Sequence, residues 1–162
     1  MSLAWHWQQP ANGLSITIAV IRLCTPLLFT LTACAGLLIG MGLPAGRVTW
    51  TCLELFLVCE GSIMAHELAH WWRIRRAGST AIVGQRGLRL WLAHPPLARR
   101  QERLIAAAGP AAGILLCGLA GIGSSFIASW SWWLFLPLLF MHGCSLLPNQ
   151  PDGRAFWGRR YA

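Results

Sequence analysis

Long uncharged runs constrain this chain more than any other feature. No charged side chain occurs in residues 25–45, 104–128 or 130–147. Crossing the hydrocarbon core of a bilayer takes about 20 mostly apolar residues as a helix. Away from water, only a helix or a closed barrel satisfies every backbone N–H and C=O. A fourth run, residues 48–72, is equally long but carries Glu54, Glu60, His66, Glu67 and His70. With the apolar stretch that opens the first run, the expectation is four spans over residues 14–45, 48–72, 104–128 and 130–147, within one domain covering 1–162. Composition agrees. Only 11% of residues are charged and 56% are hydrophobic, against about a quarter charged in soluble domains.

The net charge of +8 reports orientation rather than a nucleic-acid partner. Arg73, Arg75, Arg76, Arg86, Arg89, Arg99, Arg100 and Arg103 lie between the second and third spans. Arg154, Arg159 and Arg160 follow the fourth, Arg22 is read as preceding the first, and Arg47 stands alone on the other side. Cytoplasmic loops collect basic residues, so both termini and the 73–103 segment are expected in the cytoplasm. No soluble domain is left to present these arginines to nucleic acid. Trp50, Trp130, Trp132 and Trp133 fall at the outer span ends, and Trp71, Trp72, Trp91 and Trp157 at the inner ones, as two interfacial aromatic belts would place them. The six cysteines form no C-x-x-C pair and read as small buried hydrophobes. No basic-then-apolar signal peptide opens the chain, so the first span is expected to be retained.

Between the second and third spans, residues 81–83 and 88–92 read as short strands around a turn at Gly84-Gln85-Arg86-Gly87. The fold class expected is therefore an all-α polytopic membrane protein of four transmembrane helices, with a small membrane-associated β-hairpin near residues 80–93 on the cytoplasmic side.

His66-Glu67-Leu68-Ala69-His70 is an H-E-x-x-H sequence in a segment that must be helical. Histidines four apart project from one helix face, and two neutral imidazoles suit a zinc ion. Glu67 is then left to take a proton from the attacking water and return it to a leaving amine. Ionisable residues within a span are rare and costly unless they serve a function, which weighs against a structural reading of this motif. Leu68 precedes Arg73 by five residues, about 7–8 Å at a rise of 1.5 Å per residue. The site therefore lies just below the cytoplasmic headgroups.

A catalytic zinc takes three protein ligands and leaves one position open. Asp152, His142, Glu60, His94 and a cysteine are the candidates for the third. Asp152 follows the fourth span where Pro148, Pro151 and Gly153 break the helix, at the same cytoplasmic depth as the motif. His142, ten residues earlier, would lie about 15 Å deeper on a continuous helix. Asp152 is preferred.

These residues resemble the site-2 protease family of intramembrane zinc metalloproteases. The resemblance is carried by His66-Glu67-Leu68-Ala69-His70, by Ala107-Ala108-Gly109-Pro110-Ala111-Ala112-Gly113, and by Leu146-Leu147-Pro148 through Pro151-Asp152-Gly153. It covers about two thirds of the chain and implies one zinc ion held by His66, His70 and Asp152, with Glu67 as general base. It also implies a membrane-associated β-hairpin after the first motif. The chain departs from the family in having Gly113 and Ser145 where asparagine is usual, and in a 148–152 loop, containing Asn149, that is one residue shorter. Because the family asparagines help to hold substrate, Gly113, Ser145 and Asn149 are candidate substrate-handling positions. Glu60 and His142 are candidates for support around the site, Glu60 through its place seven residues before Glu67. Without a PDZ-like or nucleotide-sensing domain, the chain resembles a minimal catalytic core.

The expected function is hydrolysis of a peptide bond in or near a transmembrane segment. The partners are then a transmembrane protein or peptide substrate and the lipid bilayer, with room for a regulatory membrane partner. The expected location is the inner (plasma) membrane of a bacterium. The alternative is a zinc-binding membrane protein of the same fold that has lost catalysis and binds transmembrane helices. Gly113, Ser145 and the short loop motivate it, and the intact glutamate of the motif opposes it.

Overall fold

A computed structural model describes residues 6–127 and 132–158 of the chain. The first helix, α1 (Gly13–Gly40), starts at a reciprocal cap. The Asn12 side-chain oxygen accepts from the Ser15 N–H at 2.8 Å, and Ser15 Oγ accepts from the Asn12 N–H at 2.8 Å. The chain turns through residues 41–44 into α2 (Ala45–Arg76), which carries the H-E-x-x-H residues, and α3 (Arg99–Ile127) follows the arginine-rich segment. These three helices are long and apolar enough to cross a membrane. At 28 residues α1 is about 42 Å long, roughly 12 Å more than the hydrocarbon core. Arg22 lies within α1 rather than ahead of it.

The region expected as a fourth span is not one continuous helix where it is described. A 3-10 turn at Trp132–Phe135 leads into α4 (Leu136–Cys144), which is only nine residues long. Irregular turns then carry the chain to α5 (Pro151–Trp157). Residues 128–131, including Trp130, lie outside the described residues, as do Arg159 and Arg160. Because the helix stops at Cys144, the expected 15 Å between His142 and Asp152 collapses. The turn folds back on itself, with the Gly153 N–H donating to the Ser145 carbonyl at 3.0 Å.

The hairpin is present as β2 (Ile82–Arg86) and β3 (Arg89–Ala93), but its turn is Gly87-Leu88 rather than the expected Gly84-Gln85-Arg86-Gly87: Gly84, Gln85 and Arg86 extend β2 and pair with Trp91, Leu90 and Arg89. Gly87 has φ +57° while Leu88 stays at negative φ. That fits the two-residue hairpin turn that wants glycine first. The sheet has a third strand that the sequence reading did not contain. Residues His6–Pro10 form β1, antiparallel to β2, in the order β1-β2-β3. No alternating pattern marks residues 6–10. Their pairing is fixed by tertiary anchors: the Ala11 N–H donates to the Ala81 carbonyl at 2.8 Å, and Trp71 Nε1–H donates to the Ala11 carbonyl at 3.0 Å.

The tight core lies at this same end of the molecule. Ile16, Ala19 and Val20 of α1 pack on Val83 of β2, with Met64, Leu68 and Trp71 of α2 against them. Ile74, Ala81 and Ile105 form a second cluster joining α2, the sheet and α3. Elsewhere Phe135 is buried, but many large side chains are exposed, among them Phe29, Leu37, Leu119, Phe126 and Phe140. Apolar surface on this scale is what lipid, not water, would cover. At the end of α2, the Arg76 guanidinium lies 4.4 Å from the Trp72 ring and that of Arg75 lies 5.5 Å from Trp71. Tryptophan and arginine are thus stacked together at the predicted inner interface.

Candidate metal centre

The two histidines of α2 and the aspartate at the start of α5 meet. His66 Nε2 lies 3.2 Å from Asp152 Oδ2, His70 Nε2 lies 3.5 Å from Asp152 Oδ1, and the two Nε2 atoms are 3.0 Å apart. The group could hold a metal ion. With ligand bonds of about 2.0–2.1 Å, the edges of a coordination tetrahedron are about 3.3–3.4 Å; the separations here, measured to the two carboxylate oxygens and between the two nitrogens, run from 3.0 to 3.5 Å and bracket that length. The side chains are 12%, 8% and 24% exposed for His66, His70 and Asp152, so the site is largely shielded but reachable.

The hydrogen bonding of His70 is compatible with a bound cation. His70 Nδ1 is 2.7 Å from the Ile105 carbonyl; a carbonyl only accepts, so Nδ1–H donates, and in the neutral ring that a metal needs Nε2 carries the lone pair. That lone pair faces a carboxylate and a second imidazole nitrogen. Protons can satisfy these contacts one at a time, whereas a single metal ion would satisfy both nitrogens and the carboxylate together. Anchoring of the distal N–H by a backbone carbonyl is the usual support for a ligating histidine. Asp152 supplies the negative charge. Burial opposes its ionisation, but in the metal-free site hydrogen bonds from His66 and His70 in their protonated forms, and their electrostatic attraction, outweigh it and hold the carboxyl well below the usual carboxylate range.

Two glycines of α3, four residues apart and therefore on one face, make room for two imidazoles. A side chain on Gly109 would run into the His70 ring, and a Cβ on Gly113 would lie 2.5 Å from Nδ1 and Cε1 of His142. Gly153 is required for a different reason: a Cβ there would strike the Leu147 carbonyl, so this small residue lets α5 close against the turn that delivers Asp152.

The site opens into a cavity of about 1300 Å³ lined by His66, Glu67, His70 and Asp152, by β3 from Leu90 to Ala93, and by Arg99, Glu102 and Arg154. Glu67 thus shares the cavity with the three candidate ligands. The other candidates are distributed differently. His142 is buried and pairs with His66, Nδ1 to Nδ1 at 3.2 Å, rather than with Glu60. Glu60 lies within electrostatic reach of Cys24 and Cys59. Ser145 donates its hydroxyl to the His142 carbonyl at 2.7 Å and serves the turn. Asn149 is exposed and does not line the cavity. His94 lines the cavity with its Nδ1 2.8 Å from the Pro95 carbonyl, outside the ligand group. The sequence reading missed the role of Gly109 as the platform for His70; its four-residue spacing from Gly113 was the available signal.

No family model matches the chain, and no curated protein or solved structure matches it.

Proposed function

We propose that this protein is an intramembrane zinc metalloprotease that hydrolyses a peptide bond in or near a transmembrane segment of another membrane protein. The observation that carries the reading is the meeting of His66, His70 and Asp152, with ligand atoms 3.0–3.5 Å apart and the Glu67 of the same motif in the cavity beside them. His66 and His70 would hold the zinc through Nε2, and Asp152 through its carboxylate. When bound, zinc supplies a Lewis acid that polarises the scissile carbonyl and lowers the cost of deprotonating water. Glu67 accepts the proton of the attacking water and passes it to the departing amine.

A helical substrate must unwind locally, since its carbonyls are engaged in helix hydrogen bonds. The outer edge of β3 is the natural place to hold the unwound segment. β3 ends the sheet order and lines the cavity. In a hairpin closed by the Arg86–Arg89 pair, hydrogen-bonded and non-hydrogen-bonded pairs alternate, so the N–H and C=O of Leu90 and Leu92 point away from β2. They can add a strand of substrate. In this reading the 130–147 region completes a fourth crossing, both termini are cytoplasmic, and the setting is a bacterial inner membrane.

The test uses purified full-length protein, metal analysis and a panel of transmembrane substrates, comparing wild type with Glu67→Gln and Asp152→Ala. Cleavage by zinc-loaded wild type, abolished in Glu67→Gln with zinc retained, supports the reading. Zinc-loaded wild type that cleaves nothing, with Glu67→Gln silent in cells, transfers the protein to the alternative of a non-catalytic binder of transmembrane helices.

A further inference from the structure

The His142 imidazole has a single polar partner among the described residues. Its Nδ1 meets His66 Nδ1 at 3.2 Å, while its Nε2 is buried without a hydrogen-bond partner. The residue is 3% exposed, on the short helix α4, and its ring lies 5.3 Å from the His66 ring, centroid to centroid. Burying an imidazole with one nitrogen unpartnered is costly, so the one hydrogen bond that it does make is the contact to explain. The seat for it is built into another helix: a Cβ on Gly113 would fall 2.5 Å from His142 Nδ1. Residue 113 and His142 therefore compete for one volume, and this chain gives that volume to the imidazole.

We infer that His142 is the positioning residue of His66, setting its ring orientation and tautomer for metal binding, and that Gly113 is glycine in order to admit it. The inference rests on the zinc reading of the His66–His70–Asp152 group. An imidazole that gives its Nε2 lone pair to a cation carries its proton on Nδ1, and that proton needs an acceptor. His70 uses the Ile105 carbonyl for this purpose. His66 has no carbonyl in that position; its Nδ1 faces His142 Nδ1 instead, which accepts when His142 carries its own proton on Nε2. The two ligating histidines are thus oriented by different acceptors, one from the α3 backbone and one from a side chain of α4. Through His142 the irregular region after α3 is tied to the metal site on both sides of His66, since Asp152 reaches the other nitrogen.

The test is the Zn2+ dissociation constant of the full chain in detergent or nanodiscs, by competition with a chromophoric chelator. The Co2+ absorption spectrum serves as a signature of ligand geometry, and metal-free helicity as the control for folding. His142→Leu fills the volume without an acceptor and is expected to weaken zinc binding roughly 10- to 100-fold, as loss of such outer partners does, and to alter the Co2+ spectrum. His142→Asn places an amide oxygen near the Nδ1 position and is expected to recover most of the affinity. Gly113→Ala, which displaces the ring, is expected to resemble His142→Leu. Wild-type affinity in His142→Leu overturns the inference. So does equal loss in the Leu and Asn variants with helicity intact, because the hydrogen bond would then not be the cause. Zinc binding that depends on His66 but ignores His142 would leave the protease reading standing. Loss at His142 in a protein that cleaves nothing would remove the protease reading and leave this inference. Wild type that binds no zinc removes both.

Discussion

Gly109 and His70 touch across the α2–α3 interface, with the imidazole occupying the space in which a side chain on residue 109 would begin. One turn further along α3, Gly113 does the same for His142. The small-residue face of α3 is therefore a mould for two rings. Gly109→Ala is expected to gain roughly 0.5–1 kcal/mol of helix propensity but to lose about 1–3 kcal/mol through overpacking. It should also displace His70 from its ligand position. Thermal unfolding and chelator competition measure the two effects. An alanine variant with unchanged zinc affinity would show that His70 does not need this contact.

Asp152 provides the anionic ligand. Its carboxyl is held below the usual range by the two histidines, so it is ionised at neutral pH and meets a cation without first losing a proton. Asp152→Ala is expected to bring zinc below one ion per chain. It should also abolish the rise in unfolding temperature that zinc gives wild type, since a ligand stabilises only the state that binds it. Full zinc occupancy in this variant would make the assignment of the third ligand wrong.

Glu67 lines the cavity but is not one of the three grouped ligands. Glu67→Gln should accordingly bind zinc as wild type does and lose about 10²–10⁴-fold in cleavage rate, the range for removal of a general acid–base group. Paired metal analysis and single-turnover cleavage separate the two; a loss of zinc would reassign Glu67 to the ligand set.

The free edge of β3 makes a backbone-specific prediction. Leu92 lies opposite Val83 in a pair whose ladder groups face outward, so Leu92→Pro removes an edge donor without removing a bond to β2. Leu92 also packs against both buried clusters, and Leu92→Ala is the control that loses packing but keeps the N–H. Substrate cleavage should fall further in the proline variant than in the alanine variant. Equal rates would exclude strand addition at this edge.

Topology is testable without activity. A reporter inserted after Gly42, in the link between α1 and α2, should read as extracytoplasmic, and one at Leu88 in the hairpin turn as cytoplasmic. A reporter after Tyr161 decides the fourth crossing: a cytoplasmic signal requires the 128–150 region to return the chain, and an extracytoplasmic signal would overturn the four-span arrangement.

The sequence by itself determined α1, α2 and α3, because apolar runs of this length have few alternatives in lipid; the uncharged 130–147 run, which contains Pro137, did not become one continuous helix. It also determined the pairing of His66 with His70, a local consequence of four-residue spacing on a helix, and the existence of the hairpin, though not its turn, which strand pairing moves from residues 84–87 to Gly87-Leu88. The strand His6–Pro10 was decided only by the tertiary structure, since its pairing depends on Ala81 and Trp71, far along the chain. So was the break after Cys144, which brings Asp152 to one nitrogen of His66 and His142 to the other. The physical reason is the same in each case. Periodicity and local propensity report which face or conformation a segment prefers, whereas convergence of residues from α2, α3, α4 and α5 depends on how closely the helices approach. At this site Gly109, Gly113 and Gly153 set that approach, and their effect is visible only once the partners they admit are in place.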